Sequence, residues 1–248
     1  MRENNGCHNH RSGNRQLRYR RTNYHGDKEK MTDINASYDS QAADYDGFIR
    51  KLVPGYDFFM TISPVLAGNP KTVLDLGCGT GNTAASIRKL HKDAEITCVD
   101  TSEEMIKIAQ TKVDANFIQA KVEEFKPDGT YDCITSIMTM HNIQAREDRE
   151  EVYKTIYNSL SSPGVYITAD MINCENETTD SLNMHMWRQY MLANIPAEEV
   201  DNKWIPLHKE KDVTYKISEQ MVMLYDAGFR SIDIINKNIN FAIFAFYK

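Results

Sequence analysis

Gly77, Gly79 and Gly81 alternate with Cys78 and Thr80 directly after a short apolar run, Val73-Leu74-Asp75-Leu76. Alternate glycines make a tight turn in which no Cβ keeps a ligand from the backbone. Residues 82–90 have helical character, so the turn lies between a strand and a helix. Free amide groups at such a junction favour polar or anionic ligand groups. Residues 95–99 read as a second strand, and Asp100 follows at the distance expected of a carboxylate that grips a ribose diol. A glycine turn that merely closes an α/β unit would have to meet strand, loop, helix, strand and acid in register by accident. The spacing is Gly-x-Gly-x-Gly rather than the Gly-x-Gly-x-x-Gly of dinucleotide sites, which disfavours a nicotinamide-binding domain.

A second group of candidates lies farther along. Residues 131–136 read as a strand leading into Ile137-Met138-Thr139-Met140-His141-Asn142. In an open α/β sheet the ligand crevice lies outside the carboxyl ends of the strands, so Ser136 to His141 are expected to face a reacting group. His141 suits a general base near neutral pH, or a structural histidine at a helix start. Asp170, which closes a later strand, could act as a base or cap the segment that follows. His185 stands among methionines, as a base or as a packed residue, and Tyr45 is a further candidate base. Trp187, Tyr190 and Trp204 suit an aromatic acceptor pocket, or plain core packing. The chain shows no nucleophile elbow, metal-ligand cluster or Walker loop, and no metal is expected.

Alternating patterns must position these residues. Strands are expected at 72–76, 95–99, 115–119, 131–136 and 164–170, with helices at 82–91, 102–113 and 146–160. That alternation predicts a parallel sheet covered by helices on both faces. Ahead of it, Ala36, Ala42, Ala43, Tyr45, Phe48 and Ile49 mark one helix, ended by Pro54-Gly55, and 56–66 reads as a second. At the far end, Ile217, Met221 and Leu224 mark a helix that stops at Ala227-Gly228. Two strand-like runs, 231–236 and 240–247, should pair as an antiparallel hairpin. Residues 171–214 are too many for an ordinary connection. Leu182, Met186, Tyr190 and Ala193 form one helical stripe there, and Met184, Trp187 and Met191 another. Two stripes suggest a helix contacted on two sides, as a lid, a homodimer contact or both.

Charge and composition narrow the class. Residues 1–30 hold eight Lys or Arg against three acids, leaving 21 basic and 32 acidic residues in the remainder, a net −11. This leader has almost no aliphatic residues and is expected to be disordered, as a solvated tail, an RNA-binding arm or the product of an upstream start before Met31. The folded domain is expected over 31–248. Its acidity argues against a broad phosphate-binding surface, so tRNA is not the favoured partner. No run of about 18 apolar residues or signal-like segment occurs, so no membrane association is expected. Five cysteines without Cys-x-x-Cys spacing fit a reducing cytoplasm.

Leu74-Asp75-Leu76 before Gly-x-Gly-x-Gly, with Asp100 in register, resembles the first motif of class I S-adenosylmethionine (SAM) methyltransferases. The resemblance covers nearly all of 34–248. It implies a seven-stranded, doubly wound, Rossmann-like α/β fold of strand order 3-2-1-4-5-7-6, with SAM as cofactor. It places Gly77, Cys78, Gly79 and Gly81 beneath the methionine half of SAM, Asp75 beside its amino-acid portion, and Asp100 with Thr101 at the ribose. It makes Met105 an apolar cover for the adenine. Lys121 stands where many relatives have an acid for the adenine amino group, and lysine has no acceptor. Backbone near Val122, or Glu123, would substitute.

Leu52-Val53-Pro54-Gly55-Tyr56, Asn183-Met184-His185 and Ala227-Gly228-Phe229 with Asn240-Phe241 resemble, more narrowly, the carboxy-SAM synthases. Those enzymes convert SAM and prephenate into the carboxylated cofactor of tRNA wobble-uridine modification. The resemblance implies that Tyr56 reaches the amino-acid end of the cofactor and that Ser136 replaces an asparagine. The synthases hold their product's carboxylate with an arginine in the insertion, and Trp204 falls there. Tryptophan cannot form a charge-assisted fork, although Lys203 or Arg188 could compensate. The sequence therefore favours methyl transfer from SAM to a small-molecule acceptor. Carboxy-SAM synthesis and a non-catalytic SAM-binding subunit are the alternatives.

Overall fold

The computed structural model describes residues 44–248. The expected leader at 1–30, and the start of the first helix near residue 34, lie outside the described residues. Two helices, α1 (Tyr45–Leu52) and α2 (Tyr56–Leu66), precede β1 (Thr72–Leu76), α3 (Asn82–Leu90), β2 (Glu95–Asp100) and α4 (Glu103–Lys112). Next come β3 (Asn116–Gln119), β4 (Tyr131–Ile137), α5 (Arg146–Ser159) and β5 (Leu160–Asn173). The insertion holds α6 (Glu177–Leu192), α7 (Ala197–Glu199), a π-type turn (Val200–Trp204) and α8 (Ile205–Lys211). The chain continues through β6 (Tyr215–Lys216), α9 (Ile217–Ala227), β7 (Ser231–Asn238) and β8 (Phe241–Tyr247).

The sheet order is β3-β2-β1-β4-β5-β8-β7. Strands β1 to β5 run parallel, and β8 runs antiparallel to both β5 and β7. This is the expected arrangement, with the closing hairpin forming its last two strands. The short β6, paired with β5 through Ile172↔Tyr215 and Asn173↔Lys216, is an addition. Two residues are too few to carry an alternating pattern. β5 also starts earlier than expected, because Leu160 pairs with Tyr131 ahead of an irregularity in the ladder.

Central parallel strands are buried on both faces, as β1 and the last five residues of β4 are here. Successive side chains alternate between two cores. Val73, Cys98, Cys133 and Ile167 join Phe59, Trp187 and Trp204 in one. Leu74, Val99, Ile134 and Tyr166 join Phe229 and Phe246 in the other. Helix α4 is capped by Ser102, whose hydroxyl accepts from the Met105 amide at 3.1 Å. Helix α9 stops at Gly228 (φ 127°), where a Cβ would lie 2.5 Å from the Tyr157 ring.

The insertion packs against α1 rather than standing free. Trp187 Nε1 donates to the Leu52 carbonyl at 2.7 Å, and the Tyr190 hydroxyl donates to the Arg50 carbonyl at 2.6 Å. The Phe48 and Trp204 ring centroids are 4.3 Å apart. Trp187 and Met191 are buried on the inward stripe of α6, whereas Leu182 and Met186 are exposed. The helix is thus covered on one side within this chain, not two. Among the described residues no helix is long and apolar enough to cross a membrane.

Candidate functional site

The glycine turn joins β1 to α3 at the carboxyl edge of the sheet. Gly77, Gly79 and Gly81 all have positive φ, at 66°, 52° and 81°. Their surroundings differ. A Cβ on Gly77 would fall 2.3 Å from Thr139 Cγ2, and one on Gly81 would fall 2.8 Å from Ala109 Cβ. A Cβ on Gly79 would meet nothing within 4 Å. The turn is therefore wedged at both ends and open in the middle, where a ligand can reach the backbone.

Two carboxylates flank the turn. Asp100 accepts from the Gly79 amide at 2.7 Å and from the Ser102 amide at 2.9 Å, so it fixes the loop from the end of β2. Asp75 is buried, and its Oδ1 accepts from the Thr135 hydroxyl at 2.7 Å. Its Oδ2 has no hydrogen-bond partner. Burial pushes the Asp75 carboxyl up to about 7, against the pull of the Thr135 bond and with added repulsion from Asp100. The Ala84 amide on the first turn of α3 lowers it slightly. The carboxyl is thus enclosed two residues ahead of the open glycine turn.

The other expected cofactor residues surround this centre. Tyr56 is buried, and its hydroxyl accepts from Asn82 Nδ2 at 3.1 Å, one residue beyond the turn. Burial pushes its phenol up to about 12, so it stays protonated. The neighbouring Cys98 thiol, together with burial, pushes Cys78 well above its ordinary value and keeps it an unreactive thiol. Met105 is buried at the start of α4. Thr101 is half-buried, and its carbonyl accepts from Gln119 Nε2 at 3.1 Å. Val122 is half-buried against the second core. Lys121 pairs with Glu124 at 3.0 Å.

Ser136 corrects an expectation. Its side chain lies on the sheet face opposite Asp75 and Thr135, in a hydroxyl chain with Tyr166 at 2.7 Å and Thr168 at 3.0 Å. One step along β4 reverses the side-chain direction, so its hydroxyl does not face the glycine turn.

His141 and Asp170 come together. His141 Nδ1 lies 2.6 Å from Asp170 Oδ1, and the His141 amide donates to Asp170 Oδ2 at 3.1 Å. Burial opposes protonation of this imidazole, but Asp170 and Asp212 outweigh it and raise its pKa to about 9. Burial opposes ionisation of Asp170 as well, yet His141 and Arg149 hold its carboxyl below the usual range. Each partner of this buried pair thus favours the charged form of the other, imidazolium beside carboxylate. Arg149 pins the rim around it, donating through Nη2 to the carbonyls of Met140, Ile143 and Val213. His185 is exposed on α6 and stands apart from this pair. Tyr45 is half-buried on α1. Trp187 and Tyr190 commit their polar atoms to the backbone of α1, so neither offers a polar group to an acceptor.

Sequence reading missed Asp46. Its Oδ1 accepts from the Thr80 hydroxyl at 2.6 Å and from Asn82 Nδ2 at 2.8 Å, while Oδ2 pairs with Lys112. Nothing local in 44–52 marks this role. Among the described residues no group of three or more His, Cys, Asp or Glu could hold a metal ion.

Residues 73–164 match the family model described as a methyltransferase domain, a span that holds the glycine turn, Asp100 and His141. The sheet order and the superpositions below give the chain the class I methyltransferase fold. Carboxy-S-adenosyl-L-methionine synthase of Campylobacter fetus subsp. fetus is 29% identical over 222 residues, covering 82% of this chain and 90% of its own. The Nautilia profundicola protein of the same name is 26% identical over 222 residues, covering 85% and 94%. Among solved structures, the DhpI-SAM-HEP complex superposes with a TM-score of 0.62 at 18% identity, over 92% of this chain and all of that one. Human N-acetylserotonin methyltransferase in complex with SAM superposes with a TM-score of 0.61 at 16% identity, over 89% of this chain and 59% of that one. At these identities the superpositions speak for the shared methyltransferase fold.

Proposed function

We propose that this methyltransferase domain binds SAM at the glycine turn and transfers its methyl group to a small-molecule acceptor. Three features support the cofactor: the open space over Gly79, the unpartnered Asp75 Oδ2, and Asp100 at the end of β2. When bound, SAM supplies a sulfonium that is already activated for displacement. The chain's own task is to hold a nucleophile in line with the methyl carbon, and such positioning can supply about 7–11 kcal/mol of barrier reduction. Asp75 offers negative charge to the cationic end of the cofactor. The His141 imidazolium, held by Asp170, stabilises negative charge on an acceptor oxygen near the ends of β4 and β5.

One observation carries methyl transfer over carboxy-SAM synthesis. By the sequence resemblance Trp204 stands near the synthases' carboxylate-holding arginine, and it is packed on Phe48 with its indole N–H donated to Glu199 Oε1 at 3.0 Å. The two cations that could compensate are engaged. Arg188 forks onto Asp201 at 2.7 and 2.6 Å, and Lys203 lies 3.9 Å from Glu199 and 4.4 Å from the centre of the Trp204 ring. A carboxylate enclosed there without a partner would cost several kcal/mol. Carboxy-SAM synthesis is the second reading, favoured by the names of the relatives. The acidic body favours a small acceptor over tRNA, and the four free cysteines among the described residues suit a reducing cytoplasm. The exposed Leu182 and Met186 on α6 are the surface on which a homodimer would form.

Mass spectrometry of cofactor released from freshly purified protein tests the assignment. SAM or S-adenosylhomocysteine is expected, and incubation with SAM and prephenate should leave SAM unchanged. Recovery or formation of carboxy-SAM would replace methyl transfer with the second reading. Release of S-adenosylhomocysteine with pooled metabolites, and not with tRNA, identifies a catalyst of small-molecule methylation. SAM binding without turnover in any pool would indicate a non-catalytic subunit.

A further inference from the structure

We propose that Asp46 is a positioning residue for the cofactor: a carboxylate on α1 that holds the glycine turn in its binding-competent shape without touching the ligand. The inference rests on the reading of that turn as a SAM cradle. Thr80 sits between Gly79 and Gly81, and Asn82 is the first residue of α3. Both donate to the same oxygen, Asp46 Oδ1, at 2.6 and 2.8 Å. The other oxygen takes the ammonium of Lys112, which also donates to Asn82 Oδ1 at 3.0 Å. Asn82 in turn donates to the Tyr56 hydroxyl on α2. The glycine turn and the end of α4 thus meet on one carboxylate of α1, and α2 joins them through Asn82.

The glycines make such a brace necessary. Gly79 has no neighbour where a side chain would be, so polar bonds rather than packing hold the middle of the turn. From one side the Gly79 amide is fixed by Asp100, and from the other the Thr80 hydroxyl is fixed by Asp46. Removing either leaves a flexible glycine segment that must be ordered when ligand binds, and that cost appears as lost affinity. Burial pushes the Asp46 carboxyl up, but Lys112, Thr80 and Asn82 outweigh it and hold the group ionised. Charge-assisted bonds from an ionised acceptor are roughly twice as strong as neutral ones.

Calorimetry with SAM and S-adenosylhomocysteine, combined with melting temperatures, tests the role in the full chain. Asp46→Ala is expected to raise the Kd for both ligands at least tenfold, and Asp46→Asn to raise it two- to fivefold. Thr80→Val should raise it in the native background but add little to Asp46→Ala, because both substitutions break the same bond. Glu150→Gln, which removes an exposed ion pair with Arg146 on α5, is the control and should leave Kd unchanged. Amide exchange at 78–82 without ligand should accelerate in Asp46→Ala and not in the control. A lower melting temperature with unchanged Kd in Asp46→Asn would make Asp46 a docking residue for α1 only and overturn the proposal. Additive effects of Asp46→Ala and Thr80→Val would overturn it as well. Absence of SAM binding by the native chain would instead defeat the cofactor assignment itself.

Discussion

Asp75→Asn should stabilise the protein at pH 8 while giving no gain at pH 5. The Asp75 carboxyl is raised by burial from 3.8 to about 7 in the folded state. Between about pH 4 and pH 7 the native state therefore binds a proton that the unfolded chain has released, and stability falls as pH rises through that window. Above pH 7 the full penalty applies, about 4 kcal/mol, since each tenfold change in proton affinity is worth about 1.4 kcal/mol. At pH 5 less than half of it has accrued by the same linkage. Asparagine keeps an acceptor for the Thr135 hydroxyl, but places an amide where Oδ2 has no partner, at a cost of about 1–3 kcal/mol. The expected net is a gain of about 1–3 kcal/mol at pH 8 and roughly zero or a loss at pH 5. Urea unfolding of both proteins at the two pH values measures it. Equal differences at pH 5 and pH 8 would refute the reasoning, since Asp75 would then not titrate in this window. The same substitution should weaken SAM binding, because the carboxylate that costs stability is the one offered to the cationic ligand.

Asp100→Ala should weaken SAM binding at least tenfold by calorimetry, the worth of a charged hydrogen bond at roughly 1.5–3 kcal/mol, while NAD binds neither protein. Unchanged affinity in a folded variant would remove Asp100 from the ribose. Gly81→Ala, which drives a Cβ into Ala109, should lower the melting temperature by several degrees, whereas Gly79→Ala should affect SAM affinity more than melting. Melting curves and ligand titrations of the two variants separate these outcomes, and similar behaviour would contradict the open middle of the turn. His141→Gln should lose stability relative to the native chain below about pH 6.5, by up to about 3 kcal/mol, with the gap closing as pH rises through about 9. A gap independent of pH would show that the imidazole is neutral.

The sheet was legible because its central strands are buried on both sides and bounded by glycine, proline or acid, signals that survive without knowledge of contacts. The turn itself was legible for a similar reason, since its glycines follow β1 and Asp100 closes the adjacent β2. Tertiary pairing was not. His141 and Asp170 are 29 residues apart, and each alone was compatible with a cap or a core position. Ser136 failed by one step of strand alternation, which sequence places only to within a residue or two. Asp46 lies 34 residues before Thr80, and nothing in α1 distinguishes it from a solvated acid. The two-sided stripe on α6 predicted contacts that α1 supplies only on the inward face, leaving Leu182 and Met186 outside.

Helix α1 is shared between two structures that otherwise have no need to communicate. Its first turn grips Thr80 and Asn82 through Asp46, and its last turn receives Tyr190 and Trp187 through the carbonyls of Arg50 and Leu52. The insertion cannot swing outward without pulling on the element that braces the glycine turn. A displacement of the insertion therefore reaches the brace on the glycine turn through eight residues of one helix.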